Sequence, residues 1–197
     1  MVGSPGNTAN QLGTAYGIAR DPTLGTLYIL DYTYNRLVSY ASGAQNSTLL
    51  LGGIGTGYNK SQLFRPVGLS YNSFSNSFFI ANFGAHNIVR YVLGATSWTL
   101  VAGNTNGSAG ATPSTLNSPI AVTYDPMGNL YVVDNGNSRI QFFPNGGLIG
   151  TTIAGVTGVN GRNATRLLSP YGIRLDNQLN VYVADTGNHR IQKFLRY

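Results

Sequence analysis

The chain has 197 residues, enough for one sizeable core and too few for several large domains. Only 9% of residues are charged and Glu is absent, while 42% hydrophobic residues and 13 Tyr mark a folded chain rather than a disordered one. The net charge of +6 leaves an anionic partner open without demanding one, because no two Lys or Arg are adjacent, and the lack of Cys excludes disulfides, thiolate metal sites and a thiol nucleophile.

No apolar run nears the ~18 residues that span a bilayer, so membrane insertion is not expected. The opening "MVGSPGNTAN" has neither the basic nor the apolar region of a signal peptide, so a secreted parent would have lost its signal or been cut. From there the chain is a series of short β-rich segments between turn residues, with no helical periodicity. The first stretch, residues 4–53, places "AYGIA" around Gly17, "LYIL" around Tyr28, then Asp31, Arg36 and a closing Gly53. Residues 54–103 follow with "PVGLS", "FFIA", Asn82, Asn87 and "WTLVAG". Residues 104–155 carry "PIAVT", "LYVV", Asp134, Arg139 and "TTIAG". Residues 156–197 carry "PYGIR", "VYVA", Asp185 and Arg190, and stop before a fourth strand.

Gly17, Gly68, Ala121 and Gly172 step by 51, 53 and 51 residues, so the chain is four copies of one unit, each predicted to hold four strands. The strand-closing glycines at 53, 103 and 155 step by 50 and 52, which puts residues 1–3 in phase as a leftover outer strand. A single domain over 1–197 is expected, because a repeat of this kind buries both faces against its neighbours and cannot stand alone.

The string "SPYGIRLDNQLNVYVADTGNHRIQKF" (169–194) resembles an NHL repeat, and "SPIAVTYDPMGNLYVVDNGNSRIQFF" (118–143) resembles it as closely. The two earlier copies resemble it more weakly, so the likeness covers essentially the whole chain. It implies a β-propeller, usually of six blades. The expected fold is all-β: a β-propeller of four NHL-type four-stranded blades. Either the ring closes at four, the N-terminal strand pairing with the last blade, or it is part of a larger ring completed by more chain or another subunit. Open edges would favour self-association into a homo-oligomer or filament.

Asp31–Arg36, Asp134–Arg139 and Asp185–Arg190 each bracket a hairpin, so they are expected to be structural pairs that fix its register. In the second copy Asp and Arg are both replaced, by Asn82 and Asn87, which avoids a buried unpaired charge. With every Asp in one of two repeat positions, only His86 and His189 remain for acid–base work. They share a hairpin-tip position in non-adjacent copies, so one metal ion is not expected to bridge them. Peptide-amidating lyases resemble this fold and use zinc-bound His, but the His set they need is missing here. No catalytic residue, metal or cofactor is expected, and the chain is read as a non-enzyme.

Alternating strand direction puts the loops between copies, the connectors, on one face together with the hairpin tips. Lys60, Arg65, Arg162 and Arg166 lie there as a candidate face for an anionic ligand. Three Asn-X-Ser/Thr glycosylation sequons, Asn59, Asn106 and Asn163, share it, and a fourth, Asn46, is expected on the opposite face. The sequons and the low charge favour an extracellular or cell-surface glycoprotein that presents loops to a protein or glycan partner. The alternative is a cytoplasmic RNA-binding domain, as in NHL domains of tripartite-motif-type proteins; a lyase-like enzyme ranks third.

Overall fold

Runs of Val, Ile, Leu and Tyr, too short for helices and bounded by Gly, Asn and Pro, form fifteen strands among the described residues. The structure is a computed structural model that describes residues 4–196. The leftover strand expected over residues 1–3 lies outside the described residues.

Blade one comprises β1 (Ala15–Arg20), β2 (Leu27–Asp31), β3 (Arg36–Tyr40) and β4 (Thr48–Gly52). Blade two comprises β5 (Pro66–Asn72), β6 (Ser77–Asn82), β7 (Asn87–Val92) and β8 (Thr99–Gly103). Blade three comprises β9 (Pro119–Tyr124), β10 (Leu130–Asp134), β11 (Arg139–Phe143) and β12 (Thr151–Gly155). Blade four has three strands among the described residues: β13 (Pro170–Leu175), β14 (Val181–Asp185) and β15 (Arg190–Phe194). Each blade is an antiparallel meander in chain order. No helix among the described residues is long and apolar enough to cross a membrane.

The first strands of successive blades, β1, β5, β9 and β13, pack side by side. Each carries a bulge at the same place, skipping Tyr16, Val67, Ile120 and Tyr171 in the pairing. The next residue is Gly in three copies, and for two the reason is clearance. A Cβ on Gly17 would lie 2.7 Å from the Val67 carbonyl, and one on Gly68 would lie 2.5 Å from that of Ile120.

Register corrects one sequence expectation. Arg36 pairs with Gly52 as Asn87 does with Gly103 and Arg139 with Gly155, so the strand-closing glycine of the first copy is Gly52, not Gly53. A Cβ there would meet the Asn35 carbonyl, and the left-handed φ of +80° also requires glycine. The two glycines are adjacent in sequence, and only strand pairing separates them.

Alternation sends one face of each blade forward and one back, so the core forms as layers between blades. Tyr28, Leu30, Leu37 and Leu51 of blade one meet Phe78, Ile80, Val89, Tyr91 and Trp98 of blade two. Ile88 and Ala102 meet Val122, Leu130 and Val132 at the next junction, and Val133, Ile140 and Ala154 meet Ile173, Val181 and Val183 at the third. Among the described residues, Ile18 on the outer face of blade one and Ile191 on that of blade four are exposed.

Candidate functional site: hairpin tips and connectors

Each tip is built from a strand-ending Asp or Asn, a short turn, a left-handed residue and a strand-opening Arg or Asn. In blade three Asp134 Oδ1 accepts the Asn117 N–H at 2.7 Å, and Oδ2 accepts Asn137 Nδ2 and Arg139 Nε, both at 2.8 Å. The rest of the Arg139 guanidinium donates to the carbonyls of Ala111, Thr112 and Thr115 in the preceding connector. Arg36 does the same to Gly6, Asn7 and Gln11, and Arg190 to Arg162, Asn163 and Arg166. A charge-assisted fork thus fastens the connectors of blades one, three and four to their own blades.

Burial of the pair decides the acidity of its carboxylate. Asp134, paired with a fully buried Arg139, has its pKa raised by desolvation, which outweighs the bonds from Asn117, Asn137 and Arg139. Desolvation also opposes ionisation of Asp185, but Arg190 is partly exposed, and the bonds from Asn188, Leu168, Arg190 and Gln192 hold its pKa below the ordinary value.

Blade two keeps part of this clamp. Asn82 Oδ1 still accepts the Phe64 N–H at 2.7 Å, and Asn87 Nδ2 reaches only the Asn104 carbonyl. Asn82 Nδ2 and Asn87 Oδ1 are buried without partners. The carbonyl left without an Arg is that of Gln62, the repeat equivalent of Gln11, Thr115 and Arg166. It is satisfied instead by the indole N–H of Trp98, at 2.8 Å, from the start of β8. Trp98 is fully buried, and the equivalent residues elsewhere are Ser47 and Gly150. Its compensating role escapes a sequence reading because the lost and the compensating residue lie on different strands. A second missed feature is legible: "GNTANQL", "GYNKSQL", "GATPSTL" and "GRNATRL" share a Gly six residues before a Leu. These are the connectors, three of them held by Arg forks and that of blade two by Trp98.

The left-handed tip residues join one blade to the next. Asn35 Oδ1 accepts the Arg65 N–H at 2.7 Å, and His86 Nδ1 accepts the Ser118 N–H at 2.9 Å. Burial lowers the His86 pKa, with Asp134 opposing. Ser138 bonds Asn160 instead. His189 is exposed and its ring makes no hydrogen bond among the described residues. No group of three His, Asp or similar ligands able to hold a metal ion occurs among the described residues.

The four sequon Asn residues, Asn46, Asn59, Asn106 and Asn163, are all exposed, as are Lys60, Arg65, Arg162 and Arg166. Asn163 Oδ1 accepts both the N–H and the hydroxyl of its sequon Thr165. Asn46 lies between β3 and β4, and the N–H and Oγ of the adjacent Ser47 both bond the Ala9 carbonyl of a connector. The four cations do not form one stripe. Arg65 lies over the rings of Tyr32 and Phe64, at 6.0 and 5.8 Å. Lys60 and Arg162 with Arg166 lie on connectors separated by that of blade three, which has no Lys or Arg.

The NHL repeat pattern matches residues 116–143 and 167–194. The chain carries NHL repeats. No curated protein sequence matches it. Among solved structures, it is similar to an auxiliary nutrient binding protein from Bacteroides thetaiotaomicron, with 20% identity over 92% of this chain and 47% of that one (TM-score 0.73). A gluconolactonase from Xanthomonas campestris is 17% identical over 96% of this chain and 60% of that one (TM-score 0.71). A chain of a nidogen/laminin complex is 16% identical over 94% of this chain and 65% of that one (TM-score 0.65). These are β-propeller proteins, and the fold is what they share with this chain, which spans about half the length of the first.

Proposed function

We propose that this NHL chain is a non-catalytic interaction module that acts outside the cell and presents its connector and tip loops to a protein or glycan partner. The observation that carries this reading is the fate of the acidic groups. Asp is the only acidic residue type, and all six carboxylates are engaged in turns or forks, five within their own blades and Asp21 also with Tyr71 of blade two. Asp21, Asp125 and Asp176 cap tight turns through the N–H groups two to four residues on. Asp31, Asp134 and Asp185 hold the forks. The loops are therefore stiffly mounted, and no carboxylate is left to serve as a general base. The similar structures include binding proteins and gluconolactonases alike, so the side chains rather than the fold support the choice. Exposed sequons on the same loops support an extracellular setting.

RNA binding on the basic connectors is the competing reading, and salt separates the two. Counterion release makes phosphate binding fall steeply with salt. Fluorescence anisotropy with a single-stranded RNA is expected to show only weak binding that Arg162→Ala with Arg166→Ala leaves unchanged. Tight, salt-steep binding that the double substitution abolishes would replace the proposal with the RNA reading.

A further inference from the structure

The two outer faces of the blade stack are finished as interior surfaces. Leu37, Ile88 and Ile140, at one repeat position, are fully buried by the following blade, whereas Ile191 at that position in blade four is 68% exposed. On the other side, Ile18 is 63% exposed where Val122 and Ile173 are 3%, and Leu27 is 36% exposed where Phe78 is 0%. Leu27, Ile29, Arg20 and Tyr40 line a depression of about 480 Å³ on that side. Each outer face has the chemistry that elsewhere in the chain is covered by a blade.

Two details of blade four match what the inner junctions use. Gly172 has the glycine that gives clearance at Gly17 and Gly68, yet a Cβ there would meet only the Ala184 Cβ at 3.6 Å; blade three manages with Ala121. His189 occupies the latch position where Asn35 and His86 hold the N–H of Arg65 and Ser118 in the next blade. The residue of blade one equivalent to those two is Thr14, whose N–H is held within the chain by Thr33 Oγ1 at 3.0 Å, so the junction would exchange that bond for one to His189. Charge adds a third match. At the first junction Tyr71 of blade two donates to Asp21 of blade one at 3.0 Å. The same junction between two copies would set Arg20, at the Tyr71 position, against Asp176, at the Asp21 position, and these are opposite charges.

We propose that the open face of blade four receives blade one of a second copy of this chain, head to tail, through a junction equivalent to those inside the stack. The contact is heterologous, so it builds a ring if the rotation closes and a filament if it does not. It deepens the interaction-module reading by naming one partner, and it uses blade faces rather than loops, so its failure leaves the loop reading intact.

Analytical ultracentrifugation of the wild type, Ile18→Asp, Ile191→Asp and an equimolar mixture of the two variants tests it. The wild type is expected to associate with rising concentration, and each variant to be monomeric with an unchanged circular dichroism spectrum. The mixture is expected to form a 1:1 dimer and nothing larger, because each variant keeps one good face. Gly172→Leu, which fills the clearance without adding charge, is expected to behave as Ile191→Asp does. A wild type that stays monomeric up to its solubility limit overturns the proposal. So does association that any of these variants leaves unchanged, or a loss that mixing does not restore.

Discussion

A guanidinium fork carries more than its ion pair. Arg139 neutralises Asp134 and at the same time satisfies three connector carbonyls. Arg139→Met removes the charge and the donors but keeps the stem, so the buried carboxylate and the carbonyls are left together. The expected cost is about 3–5 kcal/mol, on the order of 10 °C in the melting temperature. Blade two shows what relieves such a loss: the carboxylate goes as well, and an indole N–H takes over one carbonyl. Accordingly, Asp134→Asn with Arg139→Asn is expected to melt above the single Arg139→Met variant, and Trp98→Phe to lose about 1–3 kcal/mol by orphaning the Gln62 carbonyl. Thermal unfolding of the four proteins decides this, and a double variant no better than the single one would contradict it. The five-residue spacing of Asp and Arg across a hairpin is visible in sequence. The carbonyls that the guanidinium reaches are not, because a backbone acceptor leaves no mark on residue type.

Between elements, the junction of blades two and three has a bond that depends on protonation. His86 Nδ1 can accept the Ser118 N–H only while the ring is neutral there, and burial holds its pKa below the ordinary 6.5. The unfolded chain therefore takes up the proton first as pH falls, so the stability His86 contributes is full above about 6.5 and is lost below it. Asn35 makes the equivalent bond with a group that does not titrate. His86→Asn is expected to melt like the wild type at pH 7.5 and to lose less melting temperature on going to pH 5.5. Parallel melting-temperature curves for the two proteins would contradict the assignment. The repeat itself was legible at this scale because strand alternation and turn residues recur at nearly constant steps. The first strand-closing glycine was misplaced by one residue because Gly52 and Gly53 are tandem and only pairing with Arg36 distinguishes them. The nearness of Asn46 to a connector was hidden for a related reason, since Ala9 and Ser47 meet through space and not through any motif.

Among the described residues, the molecule is a stack of four blades whose loops are clamped and whose outer faces carry junction chemistry. Sequence alone left a closed four-blade ring and an open one standing together, because the outward residues Ile18 and Ile191 look the same in either. Both are exposed among the described residues, and the strand expected to close the ring, residues 1–3, lies outside them. The proposed function turns on the loop face working outside the cell, where Asn59 and Asn163 hold the same place on two connectors. The most direct measurement is the intact mass of the protein from its native source, before and after enzymatic deglycosylation. The proposal predicts mass above that of the bare chain, falling on treatment and mapping to Asn59 or Asn163. An unmodified mass would contradict it and turn attention to RNA on the basic connectors.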